Sequence, residues 1–160
     1  MGNVKAIPDG YRTVQAYLVC HDAARAIEFY TTAFGAQEMF RMPGPGGKVM
    51  HAELRLGDSV IMLCDENPQM GMQSPQMLGG TSVNLFLYVE DCDAWFARAT
   101  AAGCATTMPP MDMFWGDRFC KIVDPFGHAW GIATHKEDVA PDEMERRAAA
   151  AMGGQAASAS

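Results

Sequence analysis

Positive charge is scarce in this sequence, and what there is lies scattered. Twelve Lys and Arg stand against nineteen Asp and Glu in 160 residues, a formal net charge of −7. Phosphate binding needs clustered cations, so nucleic acid and anionic membrane surfaces are excluded as expected partners. No apolar run approaches the roughly 20 residues of a membrane span. The opening Met1-Gly2-Asn3-Val4-Lys5 has no apolar signal core. Gly2 does not open a myristoylation pattern, because Ala6 stands where Ser or Thr is required. The five cysteines, Cys20, Cys64, Cys92, Cys104 and Cys120, are an odd number without disulfide or zinc spacing. They are expected to be reduced thiols used as small core residues in a cytoplasmic protein. There is no phosphate-cradling loop, no serine elbow and no Cys-x-x-Cys pair. Gly44 to Gly47 lacks the strand-turn-helix setting of a dinucleotide fingerprint and reads as a hairpin loop.

What the chain has in excess is methionine, thirteen in all, several in loops at Met70, Met72, Met108, Met111 and Met113. Thioethers are ligands for copper(I), but flexible apolar lining of a cleft is the favoured reading.

The chain also says nearly the same thing twice. Ala16-Tyr17-Leu18-Val19, Asp22, an amphipathic stretch and Phe34-Gly35-Ala36 are matched by Leu85-Phe86-Leu87-Tyr88-Val89, Asp91, a second such stretch and Ala102-Gly103-Cys104. The two aspartates lie 69 residues apart and the two glycines 68. A repeat of this length implies two similar modules with a cleft between them.

In each copy a strand leads through an Asp N-cap into a one-sided helix stopped by glycine. The stripes are Ala23, Ala26, Ile27, Tyr30 and Phe34, then Cys92, Trp95, Phe96, Ala99 and Ala102. Each helix must lie on a sheet. Strands follow at 37–42, 49–56 and 59–64, giving a first βαβββ module over about 12–65. Residues 66–80 read as the connection. The second module, about 81–136, continues with a strand at 105–108, a loop over 109–116, and a hairpin of strands 118–123 and 128–134. A C-terminal helix is expected over 137–152 and a disordered tail over 153–160. The fold class is α+β: two tandem βαβββ modules forming a cupped mixed sheet with helices on its outer face.

Ala26-Ile27-Glu28-Phe29-Tyr30 with Phe34-Gly35-Ala36, and Val123-Asp124-Pro125-Phe126-Gly127-His128, resemble the glyoxalase/bleomycin resistance/extradiol dioxygenase (vicinal oxygen chelate) superfamily. Val49 to Leu54 and Phe114-Trp115-Gly116-Asp117-Arg118 are similar to its PhnB-like branch. The resemblance covers about residues 10–136. It implies a ligand on the inner face of the cup and a homodimer. Metal-dependent members place His or Glu, sometimes Gln, on inward positions that fall here on Gln15, Met62, Asn84 and Gly131. Met62 is a poor ligand for hard cations and Gly131 has no side chain, so no metal site and no cofactor is expected.

Alternation offers its own candidates. With Met50, Ala52, Leu54 and Leu56 under a helix, His51, Glu53 and Arg55 face the cleft, as do Tyr17, Asn84, Phe86 and Tyr88. His51 and Glu53 are two apart on a strand and could form a general acid/base pair, or be a solvated polar face. Trp115 either stacks on a flat ligand or closes the core as a lid residue. Asp117 and Arg118 are expected to pair locally, His128 to be structural, and His21 and His135 to be exposed.

The leading expectation is a small-molecule binding protein with Gln15, Tyr17, Met62, Asn84, Phe86, Tyr88 and Trp115 lining the site. Its ligand would be apolar or aromatic, and an acidic chain suits a cationic one. The alternative is a lyase, isomerase or oxygenase-type enzyme acting on a small oxygenated substrate. It would work through His51 and Glu53, or through a metal on His51, Glu53 and Gln15. A domain serving assembly alone is a third reading, against which the aromatic inner face argues.

Overall fold

The structure, a computed structural model, describes residues 4–157. Strand β1 (Ala16–Cys20) leads into helix α1 (Ala23–Phe34), then β2 (Gln37–Pro43), β3 (Val49–Leu56) and β4 (Ser59–Asp65). A connection follows with a 3₁₀ turn at Pro68–Met70 and a single-turn helix α2 (Pro75–Leu78). The second module repeats the order as β5 (Asn84–Tyr88), α3 (Cys92–Ala101), β6 (Ala105–Asp112), β7 (Asp117–Val123) and β8 (Ala129–His135). Helix α4 (Pro141–Ala157) ends the described chain.

The strands form two four-stranded mixed sheets, ordered β1-β4-β3-β2 and β5-β8-β7-β6. In each, the first and last strands of the module run parallel and the remaining pairs antiparallel. This is the duplicated βαβββ arrangement read from the repeat. β1 and β5 are each an outer strand of their sheet, and no strand pairing joins them among the described residues.

The local causes are plain in the chain. Asp22 accepts from Arg25 N at 3.1 Å and Asp91 from Ala94 N at 2.9 Å, satisfying donors that a helix start leaves open. Gly35 closes α1 at φ +67°, a left-handed conformation that costs glycine least. Asp65 is buried because both its oxygens are used: Ala23 N donates to one and Val49 N to the other. It thereby ties the starts of α1 and β3 to the end of β4.

Each helix covers one face of its own sheet, but the core is shared. Phe34 packs edge-on to Trp130 at 5.1 Å between ring centroids and tilts against Trp95 at 5.6 Å. Asp124, in the turn before β8, accepts from Tyr30 Oη of α1, Trp130 Nε1, Phe126 N and His128 N. A buried carboxylate met by four donors is well satisfied and bridges the modules.

Four expectations are corrected. The loop expected from Pro109 is strand as far as Asp112. β6 is an edge strand and its register shifts between Met108 and Met111, so the missing N–H groups of Pro109 and Pro110 cost no ladder bonds. Met50 does not pack under α1. It is 57% exposed at the start of β3, while Ala52, Leu54 and Leu56 are buried. Ala102 lies past the end of α3 and is exposed, so it takes no part in that helix's stripe. The C-terminal helix starts at Pro141 and runs to Ala157, so residues 153–157 of the expected tail are helical. The alanine run 148–151 has the strongest helix propensity and carries the helix over Gly153 and Gly154. Residues 158–160 of that tail lie outside the described residues.

Candidate functional site

The faces opposite the helices are open, and each carries a row of side chains set by register. In the first module the row is Tyr17, Met62, Glu53 and Phe40, from β1 across β4 and β3 to β2. Tyr17 and Phe40 are 44% and 46% exposed, so this face is not closed by the chain itself. His51, one position along the same face, has Tyr17 Oη 3.0 Å from Nδ1 and Glu53 Oε1 3.1 Å from Nε2. Tyr11 Oη donates to the other Glu53 oxygen. That hydrogen bond, then the one from His51, holds the Glu53 carboxyl below the usual carboxylate range. An ionised Glu53 only accepts, so the proton of a neutral His51 sits on Nε2 and Nδ1 accepts from Tyr17. Burial pushes the Tyr17 hydroxyl up to about 12, with Cys64 beside it adding to the effect.

The alternation of β3 does bring His51 and Glu53 together, and the geometry says what they can do. Both imidazole nitrogens and both carboxylate oxygens have protein partners. A carboxylate held below its usual range is a weak base, so the pair is poorly arranged for proton transfer to a substrate. Beside it, a cavity of about 410 Å³ is walled by Tyr17, Cys64, Met50, Met70 and Met72, which gives two of the five expected loop methionines their place.

In the second module the corresponding row is Phe86, Gly131, Lys121 and Met108. Phe86 and Phe119 stack with centroids 5.4 Å apart and planes 13° from parallel. They meet over Gly131, where a Cβ would come 2.9 Å from Phe119 Cε2 and 3.1 Å from Phe86 Cδ2. Tyr88 tilts against Phe86 at 5.1 Å, and Trp115 stands edge-on to Phe119 at 5.8 Å. Phe86 is 50% exposed and Tyr88 67%, whereas Phe119 is only 5% exposed, so Phe86 and Tyr88 form an open aromatic floor with Phe119 buried against Phe86. Phe86 and Tyr88 also border a cavity of about 420 Å³ at the seam between modules, with Val14, Trp95 and Trp130 opposite.

Asp117 organises one end of this floor. It is buried and accepts from Trp115 Nε1 at 3.0 Å, Tyr88 Oη at 3.3 Å and His135 Nδ1 at 2.8 Å. The hydrogen bond to Asp117, then that to Asp138, raises the His135 pKa above the ordinary histidine value. Desolvation raises that of Tyr88. The expected Asp117–Arg118 pair does not form. Neighbours on a strand point to opposite faces, and Arg118 instead meets Asp93 at 2.8 Å and Asp112 at 3.4 Å.

Phe86, Tyr88 and Trp115 are therefore brought together, as are Tyr17 and Met62 on the other sheet. Asn84 stands exposed at the start of β5, on the face that carries Phe86 and Tyr88 and in register with Ala129. Gln15 precedes β1. With its amide oriented to satisfy both ends, its nitrogen donates to Val14 O and Val60 O and its oxygen accepts from Arg12 N. Phe119 and Lys121 escape the sequence reading, and Asp117 enters it only as a local partner of Arg118, although the three alternate on β7 as His51 and Glu53 do on β3. Tyr11 carries no periodic signal.

The positions at which the family resemblance implies metal ligands do not fit a divalent cation here. Gln15 is engaged with backbone groups, Met62 offers a thioether, and the rings occupy the space a side chain at 131 would need. Among the described residues no three His, Cys, Asp or Glu side chains converge.

A family model of the glyoxalase/bleomycin resistance protein/dioxygenase superfamily matches residues 12–132. An uncharacterized protein of Mycobacterium bovis, Mb0911c, is 45% identical over 132 residues, 81% of this chain and 87% of that one. The crystal structure of TioX from Micromonospora is similar at 28% identity and TM-score 0.61, covering 76% of this chain and 98% of that chain. FosX, the fosfomycin resistance protein of Listeria monocytogenes solved with Mn(II) and sulfate, shares the fold at 16% identity and TM-score 0.60. The likeness covers 85% of this chain and 96% of that one. The chain belongs to the glyoxalase/bleomycin resistance protein/dioxygenase superfamily.

Proposed function

We propose that the protein binds a small planar aromatic compound without chemistry on it, and needs neither a cofactor nor a divalent metal to do so. The observation that carries this reading is the half-exposed ring of Phe86, which is backed by buried Phe119 over Gly131 and borders a cavity of about 420 Å³. Offset stacking on such a floor, with Trp115 at its edge, suits a flat ring system. Where metal-dependent relatives carry a donor, this chain has the two rings. We further place it in the PhnB-like branch on the Val49 to Leu54 and Phe114 to Arg118 motifs. The open apolar faces support a homodimer, and the five buried free thiols a reducing, cytoplasmic setting.

Equilibrium titration with 2-naphthamide, a neutral flat probe, tests the reading. Binding should fall about tenfold or more on Phe86→Ala, since an aromatic contact with its buried area is worth roughly 1.5–3 kcal/mol. It should be unchanged on His51→Ala. Indifference of binding to Phe86→Ala would overturn the proposal.

The second reading, an acid/base enzyme, draws on the Tyr17–His51–Glu53–Tyr11 chain of hydrogen bonds. It requires a substrate that displaces Tyr17 or Tyr11. Turnover of a small oxygenated substrate abolished by both His51→Ala and Glu53→Gln, in folded variants, would establish it instead.

A further inference from the structure

The charges around the ring floor narrow the class of ligand, provided that the floor binds a flat aromatic compound as proposed. On the open face of the second module three charged groups alternate with the rings: Asp117, His135 and Lys121. Asp117 has its oxygens taken by Trp115, Tyr88 and His135. His135 is held between Asp117 at 2.8 Å and Asp138 at 3.0 Å. Lys121 is different. It makes no ion pair among the described residues, and its Nζ lies 5.9 Å from the Phe119 ring centroid. It shares a register row with Gly131 and Phe86, with Met108 on its other side.

Residues two apart on a strand are about 7 Å apart, so β7 presents an acid, a ring and an ammonium at even intervals. The acid end has its hydrogen-bonding capacity taken up by its own donors, and the ammonium end has no ion-pair partner among the described residues. A cationic ligand, as the chain's net charge of −7 suggests, would find the Asp117 carboxylate already engaged, and the exposed Glu90 beside Tyr88 and His135 lies four residues past Phe86, beyond the Lys121 row. Glu53 on the other module's face is likewise spent on Tyr11 and His51.

We infer that the ligand is an aromatic anion, a flat ring system carrying a carboxylate or similarly acidic group. Its rings lie on Phe86, which Phe119 backs, and its acid group meets Lys121. The row placement explains why the ammonium sits on an otherwise apolar row: it is the polar handle that orients a flat ligand.

The test compares three probes of one shape on the full chain by calorimetry: 2-naphthoate, neutral 2-naphthamide and cationic 2-naphthylmethylammonium. The naphthoate should bind most tightly. Lys121→Gln should weaken it about three- to tenfold, the range of a partly exposed charge-assisted contact. That substitution should weaken naphthamide much less, since its neutral carbonyl draws less on the ammonium than a carboxylate does, and Lys121→Arg should largely restore the preference. Added salt should weaken the naphthoate selectively. Lys121 is exposed, so its variants are expected to fold. Equal binding of the three, preference for the cation, or a naphthoate affinity indifferent to Lys121→Gln would overturn the inference while leaving the aromatic site standing. Failure of all three probes to bind would overturn both.

Discussion

Glu53 and Lys121 hold the same place in the two modules, Glu53 opposite Met62 and Lys121 opposite Gly131. Met62 and Gly131 are 69 residues apart, the repeat distance of the chain, as are Tyr17 and Phe86. One backbone pattern therefore carries two chemistries. The first copy has an acid saturated with hydrogen bonds, and the second a cation beside stacked rings.

Gly131 is kept small by its neighbours and not by its backbone. Gly131→Ala would drive a methyl group into Phe119 and Phe86, whose nearest atoms stand at 2.9 and 3.1 Å. Overpacking of this kind costs about 1–3 kcal/mol. Urea denaturation should show that loss, and 2-naphthamide binding should weaken with it. Unchanged binding would mean the rings can move aside and the floor is not fixed.

Asp124 should be the most sensitive polar position in the core. Asp124→Ala strands the donors of Tyr30 and Trp130 and two backbone N–H groups. The expected cost is at least about 3 kcal/mol. A loss under about 1 kcal/mol in chemical denaturation would contradict the bridging role.

The Glu53 network predicts acid sensitivity of definite sign. Its folded pKa is depressed, chiefly by Tyr11 and then by His51. The stabilisation it provides is therefore present above the unfolded value of about 4.3 and lost as pH falls through the folded one. Melting temperature should drop more steeply from pH 6 to pH 3 in the wild type than in Glu53→Gln. Parallel curves would rule the network out as a source of stability.

His135 works in the opposite direction. Its pKa is raised by Asp117 and then by Asp138. Its contribution is full below about pH 6.5 and fades as pH climbs through the folded value. A proton NMR titration should place His135 above the ordinary histidine value. Asp138→Asn should bring it down, and no response to that substitution would remove Asp138 as a cause.

Much of this is legible in the chain because periodicity and repetition are backbone properties. Asp22, Gly35 and the stripe Ala26-Ile27-Tyr30-Phe34 state α1 outright, and β3's alternation puts His51 and Glu53 on one face. The Pro109-Pro110 strand is not legible, because only its place at a sheet edge makes two prolines harmless there. Met50 likewise looks like a core residue until its place at the start of the strand is seen. Trp115 stands out as unusual in the sequence, but Asp117, which orients it, does not. Adjacency suggests a pair with Arg118, whereas the strand sends the two side chains to opposite faces. The functional value of Gly131 is invisible, since nothing in a sequence reveals which distant rings will fill a missing side chain.

The Asp124 bridge bears on what holds the two copies together. Tyr30 and Phe34 of the first copy are locked into Trp130, Trp95 and Asp124 of the second, while the connection over 66–80 contributes little to that core. A chain severed near Gly71 is expected to remain one particle, its halves held by interlocked side chains alone. Neither half would be stable in solution without the other. The repeat is thus a pair of obligate companions, in which the peptide linkage is the replaceable part.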